Sequence, residues 1–506
     1  MRNGLRQLAF SFRPSAFKLQ HGMLAVLLFM GLFGSVPTWA ADDLALPAEA
    51  ELTNPAWARA EYAGIAQLYV NKTRYLLALD VDYTNGIIDG NARILFVNST
   101  TDALTKVVFR LYPNHPIPLA YGSIYSGGKP RMTISEVRRD AQPVAIQITD
   151  RYQTVLEVPF DKPLTPGAVA EIGIRYKIQL GAPADLLDAR EPFPLLAVYD
   201  GGTWRTDIMT KSLDYVYSET ALFAVTIRAP NNLSLYNVGS ITQTVAEGAR
   251  VRYQITTGPV RDFVFQLARG WGFLPARGAP VSIDVRFKGR QDVAEEMANI
   301  AADAVAYYDK TFGPYFYAHL TLLAMVYPSG GEEFPTLLFI DNQRDTAYRR
   351  FIVAHEVAHQ WFYGIAGNDV ARHAWLDESL AQIALYLFHL DTLGTDAAER
   401  EWQFILTWAN RLKGSPRLID TPVESFADFS EYMVTNYGLG PQFLRELGEK
   451  MGWSLFKHGL AEYYQNVSLK VGTPAQFYEA MQAQVPLLPL APLFCAKMGT
   501  QCPVAR

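Results

Sequence analysis

The chain is short of cysteine: Cys495 and Cys502 are its only two among 506 residues, and both fall in the last stretch of sequence. They allow at most one small disulfide loop, or a pair of free thiols, and neither is placed to bind a metal. Basic charge is also scarce. With 45 lysines and arginines against 50 aspartates and glutamates the formal net charge is −5, which argues against nucleic acid as a partner. The N-terminal apolar run stops at Pro37, short of the roughly 20 residues a membrane span needs. Histidine is rare as well, eight in all, so a patterned pair of them carries weight. What remains, 49% hydrophobic and 19% charged, is an ordinary globular composition, long enough for two to four domains.

The first 40 residues read as a segment apart. Arg2, Arg6, Arg13 and Lys18 are their only charged side chains, residues 23–36 are almost wholly apolar, and Thr38-Trp39-Ala40 offers small residues at both positions a signal peptidase reads. Residues 1–40 are expected to be an export signal, with the mature protein periplasmic or extracellular and without a membrane span. The alternative is an uncleaved signal that anchors the chain. Cleavage takes away four positive charges and leaves a net charge of −9.

Periodicity divides the rest. From about 65 to 272, short runs such as RYLLALDVDY, NARILFVN, KVVFRLYPN and VRYQITTG alternate apolar and polar residues, broken by Asn85-Gly86, Asp89-Gly90 and Pro-Gly turns. A β-rich domain is expected over 41–272. From Gln291 the period becomes helical, with Val293, Met297, Ile300, Ala304 and Tyr307 on one stripe that Gly313 ends. An apolar strand follows at 319–327, and the chain then stays helical, with Thr473 to Gln476 as a capping box. A second, mainly helical domain is expected over 273–485, followed by a Pro- and Leu-rich tail at 486–506. The fold class is α+β, multidomain.

The chemistry is concentrated in HEVAH at 355–359. The run from Asp345 to Gly364 has helical spacing, so His355 and His359 share a face, about 40° apart and about 6 Å along the axis. Both imidazoles can bind one tetrahedral metal from the same side. Glu356 lies about 100° round the helix, a place for a base that polarises water rather than a ligand. A catalytic zinc needs a third protein ligand. Glu378 in WLDESLA, separated from His359 by eighteen intervening residues, is the leading choice, on a second helical stripe; His373 in the connection competes with it.

HEVAHQWFYG with WLDESLA resembles the gluzincin aminopeptidases, the zinc family of alanyl aminopeptidase and leukotriene hydrolase, which carry His-Glu-x-x-His, eighteen residues, then Glu. Two further stretches are similar to that family's pattern. GGEEFPTL at 330–337 looks like its Gly-x-Met-Glu-Asn/Tyr exopeptidase motif, and NYGLGP at 436–441 looks like its Tyr-x-Lys-Gly-Ala segment, with Leu439 for Lys and Pro441 for Ala. The specific match covers about 330–440. The resemblance implies a saddle-like, antiparallel β domain followed by a thermolysin-like zinc peptidase domain, with one zinc ion per chain on His355, His359 and Glu378.

It also implies roles. Glu356 is the base, Tyr437 the oxyanion donor, with Tyr432 a nearby competitor, and Glu333 the carboxylate that holds a peptide's free N-terminus. Gly330 and Gly331 let the backbone approach substrate closely before an edge strand resumes at Pro335. Glu332 stands where the family has Met, and would favour a cationic or small first residue unless strand alternation turns it away. A second ammonium-binding residue from the β domain is not identifiable, Asp200 being a guess. Larger members continue into a C-terminal helical domain, so less restriction on substrate length is expected here. The expected function is a zinc aminopeptidase acting on peptides with a free N-terminus; the alternatives are an endopeptidase on the same centre or a non-catalytic peptide-binding protein.

Overall fold

The alternation between residues 74 and 97 folds into a hairpin, Arg74–Asp82 pairing antiparallel with Ile87–Val97 around Asn85-Gly86. The computed structural model describes residues 44–116, 131–212, 214–410, 418–499 and 502–503; the export signal expected at 1–40 lies outside them. Asp89-Gly90, expected as a break, instead runs inside the second strand, where Gly90 lies under the Tyr176 ring and any side chain would collide with it. A glycine needed for close approach and one needed for a turn look alike in sequence.

This hairpin is the centre of an eight-stranded sheet, whose order is Ser240–Glu247, Arg250–Val260, Ala221–Pro230, Arg74–Asp82, Ile87–Val97, Val169–Gln179, Arg131–Arg139 and Gln142–Pro143. All its pairings are antiparallel except one, Arg74–Asp82 beside Ala221–Pro230, which is parallel with Leu77 opposite Val225. Stacking of Tyr75 on Phe223, centroids 4.6 Å apart, packs that central pair. A three-stranded sheet of Ser234–Asn237, Val264–Ala268 and Leu186–Arg190 carries the β-rich half toward the helical half.

The helical half opens on a five-stranded sheet, ordered Gly272–Pro275, Ser282–Phe287, His319–Met325, Leu337–Asp341 and Gly331–Phe334. The segment from Pro335, expected at the edge, is instead the inner strand Leu337–Asp341, and the edge belongs to the residues before it. These span Gly331–Phe334, antiparallel to Leu337–Asp341, and Pro335-Thr336 forms the turn rather than resuming the strand.

Helix α1 (Gln291–Thr311) buries Val293, Met297, Ile300 and Ala304 as the stripe requires, with Tyr308 rather than Tyr307 fully inside. The Tyr308 hydroxyl donates to Ala354 O at 3.1 Å and ties α1 to α2 (Thr346–Ala358). After α2 come α3 (Glu378–Thr392), α4 (Thr395–Ala409), α5 (Phe429–Val434), α6 (Gly440–Met451), α7 (Trp453–Val467), α8 (Pro474–Gln484) and α9 (Ala491–Met498). The capping box at Thr473 and Gln476 is present, and Pro441 sits in the first turn of α6. Cys495 and Cys502 are disulfide-bonded. Among the described residues no helix is long and apolar enough to cross a membrane.

α2 ends at Ala358, earlier than the expected stop at Gly364. The loop after it is held from the β-rich half: the buried Arg261 guanidinium donates to Tyr363 O at 2.7 Å, Ile365 O at 3.3 Å and Ser218 O at 3.2 Å, and also to Lys470 O. Within that loop the backbone leaves the i to i−4 pattern, Trp361 N–H donating to Ala358 O at 2.9 Å and Gly364 N–H to His359 O at 2.8 Å.

Candidate active site

α2 delivers His355 and, as its C-terminal cap, His359, while Glu378 is the first residue of α3. All three are buried, at 3%, 1% and 2% exposure. The two Nε2 atoms are 3.1 Å apart, and Glu378 Oε2 lies 3.3 Å from His355 Nε2 and 3.4 Å from His359 Nε2. A tetrahedral ion with bonds of roughly 2.0–2.1 Å keeps its ligands about 3.3 Å apart, so the triangle has the dimensions of a zinc site. Glu378 Oε2 and His355 Nδ1 have no hydrogen-bond partner among the described residues. The residues present fit the metal. His373 does not join them, because its Nδ1 is 2.7 Å from Asp420 Oδ1, an oxygen that also accepts from Trp375 Nε1.

Asp377, unremarked in the sequence although it adjoins Glu378, places Oδ1 2.7 Å from His359 Nδ1. A carboxylate behind a metal-binding imidazole fixes which nitrogen faces the ion. Burial disfavours the charged ring, yet Glu333 and Asp377 hold the His359 imidazole well above its usual range.

Tyr437 sits on a single π-helical turn, Thr435–Leu439, between α5 and α6. Such a turn inserts a residue into the helical register and is frequent at functional sites. The Tyr437 hydroxyl donates to Glu378 Oε1, and its ring lies 6.0 Å from that of His355. Ser379 Oγ donates to Asn436 O at 2.7 Å and pins the turn to α3. Tyr432, its competitor, is committed elsewhere, donating to Asp214 Oδ2 at 3.0 Å.

On the opposite wall the edge strand approaches closely. Gly330 has φ +107°, and a Cβ on Gly331 would collide with the Glu356 carboxylate. Glu333 comes within 3.8 Å of His359 Nδ1, and Glu333, Glu356 and His359 offer donor atoms all within 4.8 Å of one another. Glu332 diverges from Glu333, its carboxylate bound by the Arg190 guanidinium and the Tyr327 hydroxyl. That partner removes the basis for a cationic first-residue preference, because Arg190 neutralises the charge on which it rested.

The same cleft is bordered by Arg190, Asp214 and Tyr215 of the β-rich half, none of them legible in the sequence. Asp200 is not among these residues; it pairs with Arg372 at 3.1 Å. Burial pushes Glu333, Glu356 and Asp214 well above the usual carboxylate range, with neighbouring carboxylates adding to the rise. Against burial, the two histidines hold Glu378 well below it. So many carboxylates around one centre suit cationic occupants, a metal ion and an ammonium group.

A β-rich half and a helical half border one cleft, which carries a His-His-Glu donor set able to hold a metal ion. Residues 299–491 match the Peptidase family M1 domain. The chain is 27% identical over 161 residues to "Aminopeptidase M1" of Arabidopsis thaliana, covering 29% of this chain and 18% of that one. It is 31% identical over 133 residues to "Aminopeptidase N" of Homo sapiens, covering 23% and 13%. It therefore spans less than a fifth of the length of these two relatives. Among solved structures, an M1 zinc metallopeptidase variant of Deinococcus radiodurans bound to a Tyr-Ser-Ala substrate superposes with a TM-score of 0.59 at 18% identity, covering 85% of this chain and 95% of that one. The likeness is one of fold.

Proposed function

We propose that the protein is an exported zinc aminopeptidase that removes single residues from the free N-terminus of peptides. The observation that carries this reading is the position of Glu333: a buried carboxylate at the end of an edge strand, with Glu356 and His359 both within 4.8 Å. An ammonium group held there leaves room for one residue before the reacting carbonyl reaches the metal ligands, which sets the register of cleavage.

His355, His359 and Glu378 would hold the zinc ion, which when bound supplies Lewis acidity and brings the pKa of water to about 7. Glu356 takes the proton from the attacking water and passes it to the leaving amine. Tyr437 donates its hydroxyl hydrogen to the oxygen on which negative charge develops, and Gly330 and Gly331 present an uncrowded backbone to the extended substrate. Glu332 borders the pocket for the first side chain as half of a neutral pair with Arg190. A division into 41–272 and 273–485, with a tail at 486–506, is supported by the change of sheet at Gly272. Export is supported by the charge pattern of residues 1–40 and by the Cys495–Cys502 disulfide, a bond that persists in oxidising compartments.

The test is digestion of a mixed peptide library, free and N-acetylated versions side by side, with Glu356→Gln as control. Stepwise loss of residues from free N-termini alone is expected, with turnover in the variant lower by about 10² to 10⁴. Internal cuts in both sets would make the protein an endopeptidase and remove the role given to Glu333.

A further inference from the structure

The residue that follows the scissile bond has a wall of its own, and this inference rests on the aminopeptidase reading. Three landmarks give the direction of the chain in the cleft. Glu333, which holds the ammonium, is near His359; Glu356 lies next, against the Gly331 backbone; and Gly330 follows, facing the Tyr348 hydroxyl and the Ile352 side chain. A first residue spans from Glu333 to the metal ligands. The peptide then leaves past Gly331 and Gly330 toward Tyr348.

There it meets aromatic rings. Phe351 of α2 and Phe404 of α4 pack edge to face with centroids 4.7 Å apart, Tyr348 lies 6.0 Å from Phe351 and 6.4 Å from Phe404, and Phe351 stacks on the His355 ring at 5.9 Å. All of them border the cleft. So does Gln382, one turn beyond Glu378 on α3. Its side chain is buried, at 1% exposure, yet neither Oε1 nor Nε2 has a hydrogen-bond partner among the described residues. A buried amide left open at both ends is costly, and a ligand group that both donates and accepts satisfies it.

We propose that Tyr348, Phe351, Phe404 and Gln382 select an aromatic second residue, tyrosine first: the ring packs on the wall, and the phenol hydroxyl pairs with the Gln382 amide. Phenylalanine gains the wall alone, alanine gains neither, and aspartate adds a charge to a cleft already rich in carboxylates.

The experiment uses the zinc-loaded full chain and Ala-Xaa-Ala tripeptides with Xaa as Tyr, Phe, Ala or Asp. It reads kcat/KM for release of the first alanine, and dissociation constants on Glu356→Gln. Tyr is expected to exceed Phe by about tenfold and Phe to exceed Ala by about thirtyfold. Gln382→Met should equalise Tyr and Phe while keeping Phe above Ala; Phe404→Leu, a milder change than alanine, should shrink the Phe-over-Ala ratio. Equal release from all four peptides, or a Tyr-to-Phe ratio untouched by Gln382→Met, overturns the proposal. Cleavage at another bond, or none, counts instead against the aminopeptidase reading, and the dissociation constants then decide the subsite: tighter binding of the Tyr peptide, lost in Gln382→Met with Glu356→Gln, supports it, and equal binding of all four overturns it.

Discussion

Asp377 orients the metal centre without touching the metal position. With Oδ1 2.7 Å from His359 Nδ1, it keeps that nitrogen occupied and turns Nε2 toward His355 and Glu378. Asp377→Asn is expected to weaken zinc binding by about 10- to 100-fold with the fold intact, read by competition with a chromophoric chelator alongside circular dichroism. An unchanged affinity would mean that packing alone holds the ring. His355, His359 and Glu378 were legible in the sequence because a helix repeats every 3.6 residues and the third ligand opens the next helix. Arg190 was not, because it reaches Glu332 across 142 residues of chain. Tyr437, one of 27 tyrosines, could be picked out only through its resemblance to a motif.

At the level of elements, the apolar stripe of α2 gave the face that binds metal and missed where the helix stops. Nothing local marks Ala358 as an end. Beyond it the backbone departs from the i to i−4 pattern, Trp361 N–H donating to Ala358 O, Gly364 N–H to His359 O and Ile365 N–H to Gln360 O, and Arg261 arrives from the β-rich half to hold the carbonyls of Tyr363 and Ile365. The loop it holds also contains Tyr363, at φ +129° and with its hydroxyl bonded to Asp262; that backbone conformation is uncommon for a residue with a side chain and persists only where surroundings impose it. Arg261→Met would leave the captured carbonyls of Ser218, Tyr363, Ile365 and Lys470 without this donor. A loss of about 3 kcal/mol in stability is expected, measured by urea unfolding of the metal-free protein so that zinc does not mask it. Unchanged stability would show that the loop holds its own shape.

For the whole molecule, the shift from a period of two to a helical period located the change from sheet to helix, while long-range pairing stayed hidden. No local feature of Arg74–Asp82 announces a parallel partner at Ala221–Pro230. The Pro- and Leu-rich segment near the C-terminus forms α9, where Pro492 sits in the first turn, a position that needs no N–H, and Phe494 packs 5.1 Å from Phe443 and 5.0 Å from Tyr478.

Global stability carries a pH signature from a buried and a half-buried group away from the site. His389 Nδ1 lies 3.9 Å from Glu401 Oε1. Burial and Arg350 push the His389 imidazole down to about 4, while burial pushes the Glu401 carboxyl up to about 7. Between about pH 4 and about pH 7 the contact is therefore neutral rather than an ion pair. Glu401 binds its proton more tightly folded than unfolded, so its contribution is complete below about pH 4.5 and is lost as pH rises through about 7. His389 works the other way, its contribution present above about pH 6.5 and lost as pH falls toward about 4. Glu401→Gln keeps the neutral form at every pH. At pH 8 the variant is expected to be more stable by about 2 kcal/mol, the full shift being reduced for the carboxyl's partial exposure, with Tm higher by about 3 °C. The difference should vanish by pH 4.5, and the acid-side decline owed to His389 should remain. A Tm difference that does not change with pH would show that Glu401 is ionised in the folded protein and that its cost is one of packing rather than of charge.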